Sequence, residues 1–239
     1  MSNINSISIF FPCYNDKGTI KKLIDDATET VHNLNINDYE IIVTDDGSID
    51  GARELLASLQ ETNPRLKVVF HEHNQGYGAA LKSGFAQATK EWIFYTDGDA
   101  QYDVKELVLL AQAAEPEVDL VNGYKIKRQD TFDRIIIGKI YQWAMKVVFL
   151  LKIRDVDCDY RLFKKEKLDQ ITLKSDDGSM CVELSRRLQN AGVVIREVPV
   201  HHYSRTYGQS QFFTVRRVSR TLMTLFKLWW ELVLLGKAK

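Results

Sequence analysis

Hydrophobic and polar positions along the chain fall into short apolar runs that alternate with longer periodic segments. The runs at 7–11, 39–44, 66–70, 92–96, 118–123 and 193–200 are rich in Val, Ile and Phe and end in Pro, Gly or polar clusters, which predicts buried strands. Segments 20–34, 52–60, 77–88, 105–114 and 179–191 repeat apolar residues at three- and four-residue spacing, which predicts helices; Leu23, Ile24, Ala27 and Val31 share one such face. Strands alternating with helices predict an α/β fold with a mixed, mostly parallel sheet flanked by helices. Segment 134–152 is long and apolar, punctuated by Lys139, Gln142 and Lys146, and is read as core, with a helix lying on a membrane surface as the alternative. The last segment, 212–235, is helical in pattern and places Arg216, Arg217 and Arg220 ahead of Leu222, Leu225, Phe226, Trp229, Trp230, Leu232 and Val233. Arginines beside a Trp-rich stripe suit a helix lying at a membrane surface. Its densest part would be only about 22 Å long, and Lys227 and Glu231 interrupt it, so it should lie on a bilayer rather than cross it. Packing on the body or on a second subunit is the alternative.

Composition narrows the class. With 239 residues the chain fits one domain over 1–211 and an amphipathic appendage over 212–239. Charge balances at 32 Lys+Arg against 32 Asp+Glu, so no overall field points to nucleic acid. Cys13, Cys158 and Cys181 are few, odd in number and widely spaced, which favours a reducing compartment over a disulfide framework. Residues 1–8 have no basic-then-apolar leader pattern, and no apolar stretch reaches the roughly 18–20 residues of a spanning helix. A cytoplasmic chain, peripheral on the cytoplasmic face of a membrane, is the expected location.

Candidate chemistry gathers at predicted strand ends. The fourth run ends in Asp97-Gly98-Asp99-Ala100-Gln101, two carboxylates one residue apart where an open α/β sheet places its ligands. They repel each other unless a cation neutralises them, and the oxygen-only set Asp97, Asp99 and Gln101 suits Mg²⁺ or Mn²⁺. A solvated Asp-Gly turn is the plainer alternative. Asp45 and Asp46 end the second run and can accept hydrogen bonds from a ribose or base edge, whereas Ser48 and Asp50 read as helix caps. Gly76 and Gly78 open a helix and suggest backbone close to a ligand or tight packing. His71 and His73 read as polar strand-end residues rather than metal ligands. Asp155, Asp157 and Asp159 precede Arg161, which can serve simply as their ion-pair partner. Both the dinucleotide Gly-x-Gly-x-x-Gly fingerprint and the Walker lysine loop are missing.

Taken in order, several strings resemble the family 2 glycosyltransferases with the GT-A fold, most closely the dolichol-phosphate or polyprenyl-phosphate mannose synthase branch. They are Phe11-Pro12-Cys13-Tyr14-Asn15-Asp16, Asp45-Asp46-Gly47-Ser48-Ile49-Asp50, Asn74-Gln75-Gly76-Tyr77-Gly78-Ala79-Ala80, Asp97-Gly98-Asp99-Ala100-Gln101, Asp157-Cys158-Asp159-Tyr160-Arg161-Leu162-Phe163, Glu197-Val198-Pro199-Val200 and Arg205-Thr206-Tyr207-Gly208-Gln209-Ser210. The resemblance implies that Pro12, Tyr14, Asp16, Val43 and Asp45 hold a nucleoside, with Asp46, Gly76 and Gly98 beside it. Asp97, Asp99 and Gln101 would then bind the metal and donor diphosphate, and Arg128, Arg161 and Arg205 would meet phosphates. It implies transfer of mannose or glucose from a GDP- or UDP-sugar, with inversion, to a polyprenyl phosphate. Asp16 stands where Glu is frequent, Lys125 where Arg is, Asp159 where Gly is and Gln211 where Lys is, departures that bear chiefly on the acceptor phosphate. A hydroxyl acceptor would instead need a base, for which Asp157 and Asp159 are the candidates. A non-catalytic nucleotide-sugar-binding subunit is the reading from another class. The sequence leaves oligomeric state open.

Overall fold

The structure, a computed structural model, describes the backbone of residues 4–126, 132–208 and 215–236. In chain order the first half comprises β1 (Ser6–Cys13), α1 (Lys17–Asn33), β2 (Asp38–Asp45), α2 (Ala52–Thr62), β3 (Leu66–Phe70), α3 (Tyr77–Gln87) and β4 (Trp92–Thr96). A 3₁₀ turn, Val104–Glu106, leads into α4 (Leu107–Ala113) and β5 (Leu120–Ile126). There follow α5 (Phe132–Val148), β6 (Tyr160–Lys164), α6 (Lys165–Leu168), α7 (Met180–Asn190), β7 (Ile195–His201) and α8 (Val215–Trp229), which continues as a π-helical turn, Trp230–Leu234.

The strands form one seven-stranded sheet in the order β3-β2-β1-β4-β6-β5-β7. Only β6 runs against its neighbours, so six strands deliver their C-terminal ends to one edge. The aliphatic and aromatic residues of β1, β2 and β4 are buried on both faces, as expected of a sheet covered by helices on each side. One apolar layer joins Ile9, Ile41 and Phe94 to Ile20, Ala27 and Leu56 of α1 and α2. The opposite layer joins Phe10, Ile93 and Phe163 to Leu81, Phe85, Leu184 and Leu188 of α3 and α7. The mixed, mostly parallel sheet read from the sequence is therefore present.

Strand β6 lies in a stretch that the sequence reading leaves as acids in a turn before a polar run. Tyr160, Leu162 and Phe163 are fully buried at the middle of the sheet, and Arg161 hides there as well, which breaks the apolar pattern that would mark a strand. The reading of 134–152 as core holds on one side only. Tyr141, Met145, Phe149 and Leu151 join a third apolar cluster with Val182 of α7 and Leu225, Leu228 and Leu232 of the C-terminal helix. The outer face stays exposed, with Ile140 at 62% and Trp143 at 69%. On the C-terminal helix Leu222, Met223, Phe226 and Trp230 are likewise exposed, so both helices are two-sided. No helix among the described residues is long and apolar enough to cross a membrane.

Candidate active site

The parallel register sets Cys13 beside Asp45, so the loops after β1, β2 and β4 open at one edge. Antiparallel pairing of β4 with β6 matches Thr96 to Tyr160; carried one residue further, that register brings Asp159 opposite Asp97. Acids from three separate stretches of sequence, after β1, after β4 and before β6, thus converge. Asp99 is buried, its Oδ1 accepting from Gln101 N at 3.0 Å and its Oδ2 from Arg205 Nη2 at 2.5 Å. Ala100, next in the chain, holds a left-handed φ of 58°, unusual for a residue with a Cβ and characteristic of strained functional turns.

Asp97 accepts from the Tyr77 hydroxyl at 2.8 Å. Desolvation, followed by the nearby charges of Asp159 and Asp99, pushes its carboxyl well above the ordinary range. Asp16 is buried and accepts from Tyr14 N through Oδ2, whereas its Oδ1 has no hydrogen-bond partner among the described residues and lies 3.9 Å from Arg205 Nη1. Desolvation first, and Asp99 among the charges, raise Asp16 to about 6. Carboxylates therefore outnumber cations at this edge, and Arg205 is the guanidinium that meets both Asp99 and Asp16. Arg205 comes from the loop after β7, which is pinned by Tyr203 N donating to Gln101 O and by the Gln101 amide donating to Tyr203 O.

Gly98 serves this site by close approach, since its N donates to Pro12 O at 3.1 Å and a Cβ would come within 2.5 Å of that carbonyl. Any side chain here would separate β4's tip from β1's. Thr19 clamps the turn from below by donating to Gly98 O at 2.7 Å. The Tyr14 ring is half-buried at the rim.

Several of the sequence-derived residues are already engaged within the fold. Val43 is enclosed in the main core, where adjacent strands leave its side chain no face for a nucleoside. Asp46 is used internally: its Oδ1 accepts from His71 Nδ1 at 2.7 Å and Gln75 N at 2.9 Å, and its Oδ2 from Gly76 N at 3.0 Å, so it fixes the glycine turn. Asp45 caps its own turn at Ser48 N and pairs with Arg53. Arg161 is fully buried beneath the site and donates to Cys158 O, Val156 O and Ser185 Oγ at 3.1, 2.6 and 2.9 Å, which leaves it no open face for a phosphate. The Gln101 amide nitrogen is committed to Tyr203 O. Arg128 and Gln211 lie outside the described residues, as do the side chains of Arg216, Arg217 and Arg220.

Asp157 and Asp159 do reach the site, from the loop that enters β6. Desolvation raises Asp157 to about 6, opposed chiefly by Lys125, whose nearly enclosed ammonium contacts the Asp157 carbonyl and lies 3.5 Å from Asp155. Asp159 accepts from Tyr95 Oη at 3.3 Å and Cys181 Sγ at 3.1 Å. Tyr77, Tyr95 and Cys181 were missed from sequence because apolar-looking side chains carry no charge pattern; only the position of Tyr77 between two glycines hinted at it. His71, expected to be a plain strand-end residue, bridges Asp46 and Ser83, with its Nε2 2.8 Å from Ser83 Oγ.

Residues 8–172 match the protein family described as glycosyl transferase family 2. A curated relative, the undecaprenyl-phosphate 4-deoxy-4-formamido-L-arabinose transferase of Enterobacter sp. (strain 638), is 26% identical over 90% of this chain, and the matched region spans 65% of that relative's length. Among solved structures, glucosyl-3-phosphoglycerate synthase of Mycobacterium tuberculosis, in complex with Mn²⁺, UDP and glucosyl-3-phosphoglycerate, superposes with a TM-score of 0.71 at 15% identity, covering 95% of this chain and 79% of that one. A mannosyltransferase of Pyrobaculum calidifontis, in complex with GDP-mannose and Mn²⁺, gives 0.63 at 18% identity over 92% of this chain and 64% of that one. The superpositions establish the GT-A fold, and with more than half of its length matched by the family, the chain belongs to glycosyl transferase family 2.

Proposed function

We propose that this chain moves a hexose, mannose or glucose, from a nucleoside-diphosphate sugar to a polyprenyl phosphate, with inversion and with help from a divalent cation. The observation that carries the reading is the excess of acid at the sheet edge: Asp16, Asp97, Asp99 and Asp159 gather around Arg205, and a buried Asp16 oxygen has no hydrogen-bond partner among the described residues. Such a cluster is complete only when a cation joins it. Oxygen donors suit Mg²⁺ or Mn²⁺, in keeping with the Mn²⁺ complexes of the structural neighbours. Among the described residues no three His, Cys, Asp or Glu side chains form a metal cage. Asp99 would be the protein's principal ligand, with Asp97 beside it and donor phosphate oxygens completing the shell, as is usual for Mg²⁺. Bound there, the ion would offset charge on the departing diphosphate.

The chain's own residues do the rest. A phosphate acceptor has its second pKa near ~6 and needs little deprotonation at neutral pH. It needs positive charge, and Arg205 would supply a bidentate guanidinium once a cation takes over its contact with Asp99. The name of the Enterobacter relative supports a lipid phosphate. The exposed apolar faces of α5 and the C-terminal helix support a bilayer beside the site, which we take to be its cytoplasmic face, with a second copy of the chain as the other occupant to test. The alternative is a hydroxyl acceptor, for which Asp157, raised to about 6 by desolvation in the loop that enters β6, would be the base to test.

The deciding experiment measures transfer of radiolabelled sugar from GDP-mannose and UDP-glucose to an organic-extractable polyprenyl phosphate, with Mg²⁺, Mn²⁺ or EDTA, for wild type and Asp99→Asn. Metal-dependent lipid product, reduced by about 10²-fold or more in the variant, is expected. Metal-dependent donor hydrolysis without lipid product would transfer the proposal to hydroxyl acceptors.

A further inference from the structure

Segment 174–177, which the sequence reading passes over, is held from two sides. On the site side, Gly78 N donates to Asp176 O at 3.0 Å, and Lys82 Nζ reaches the Asp176 carboxylate at 2.6 Å. The approach leaves no spare room: a Cβ on Gly76, whose φ is +107°, would come within 2.4 Å of Asp176 O, and one on Gly78 within 2.5 Å of Ser175 O. This is the turn that hands Gly76 N to Asp46 and the Tyr77 hydroxyl to Asp97.

On the far side, Lys174 N and Ser175 N donate to the Glu183 carboxylate at 3.0 and 2.8 Å. Arg187 pairs with Glu183 at 2.7 Å, and both side chains are fully buried. Arg187 and Lys174 then converge on Glu231 in the π-helical turn, at 3.1 and 2.6 Å. Thr224 donates to Asp177 at 3.1 Å, and Asn190 to Leu232 O at 3.0 Å. A π turn diverts carbonyls from the α-helical ladder and is frequent where a helix does specific work. The contacts from Glu231 to the Gly76–Gly78 turn are continuous, and their centre, the Glu183–Arg187 pair, is fully buried, although Lys174 is half exposed.

We propose that the C-terminal helix positions the donor site: Glu231, acting through Lys174 and Arg187, fixes segment 174–177 and thereby the Gly76–Gly78 turn that orients Asp97. Glu231 is a positioning residue, remote from any reacting atom. The proposal rests on the reading of the sheet edge as a nucleoside-diphosphate site, and it makes occupancy of that site depend on how firmly the C-terminal helix is seated.

The test uses the full chain with Glu231→Gln, which removes the charge at nearly constant size, and Lys174→Met, which cuts the strut at its next link. Hydrogen exchange on the unliganded chain should quicken by about tenfold at amides 76–80 and 174–178 in both variants and stay unchanged in β1 and β2. Binding of UDP and of GDP with Mn²⁺, measured by calorimetry, should weaken by about fivefold, while kcat at saturating donor changes less than twofold. Faster exchange around 225–234 with none at 76–80 would overturn the coupling. Should either variant unfold under assay conditions, Thr224→Val, which removes the hydroxyl that donates to Asp177 and no charge, supports the same comparison with smaller expected changes. A wild-type chain that binds neither nucleotide would overturn the donor reading alone, because the exchange measurement needs no ligand.

Discussion

At the strand tips Asp16, Asp97, Asp99 and Asp159 face one another with Arg205 among them, whereas under the C-terminal helix Glu183, Arg187, Glu231 and Lys174 alternate in sign and close on each other. Both clusters take charge out of water. In the second, each carboxylate has a cation, and Glu183 also accepts from the Lys174 and Ser175 amides, so desolvation is offset within the fold. In the first, desolvation and then like charges raise Asp97 and Asp16, and an oxygen of Asp16 has no hydrogen-bond partner among the described residues. A closed network marks structure. An open one marks a place where the fold carries a cost that a ligand relieves.

The comparison can be broken or sharpened by measuring stability at each cluster. The largest effect is expected for Arg187→Met, which strands the buried Glu183 charge and should cost about 3–5 kcal/mol in urea unfolding. Asp16→Asn should act in the opposite direction. Its folded pKa of about 6 lies above the ordinary 3.8, so folding takes up a proton between those values. The group's contribution is complete below about 3.8 and lost as pH rises through about 6; at pH 8 the variant should therefore be more stable than wild type by up to about 3 kcal/mol, with a shallower decline between pH 4 and 7. Asp157, raised by the same cause, retains part of that slope. Next comes Arg161→Lys, which loses buried bonds to Ser185 and Val156 and should cost about 2 kcal/mol without selectively raising the donor KM. Smallest in stability is Arg205→Gln, since its pair with Asp99 is partly exposed and contributes under about 1 kcal/mol; sugar transfer should nevertheless fall more than tenfold. A large loss of stability here, or none at Arg187, would reverse the assignment of open and closed clusters.

The two arginines show what was legible in the sequence. Arg161 and Arg205 sit in equally polar strings, and charge pattern treats them alike. Burial separates them: Arg161 is on a central antiparallel strand, and Arg205 on a loop at the edge. Asp97 and Asp99 were legible because an apolar run ending abruptly in acid is a local signal. Asp46 looked the same and proved to be a fastener for the glycine turn, since its partners, His71 and the amides of Gln75 and Gly76, lie some 25–30 residues away.

By itself the sequence determined six of the seven sheet strands, most of the helices between them and the acids after β4, because periodicity, turn residues and abrupt changes of polarity act over a few neighbours. Tertiary structure alone decided that β6 enters the sheet antiparallel, that Asp159 meets Asp97 and that the C-terminal helix reaches the glycine turn through Glu231 and segment 174–177. Those outcomes depend on pairing between distant segments and on which charges lose their water. Neither is written in any short stretch of chain.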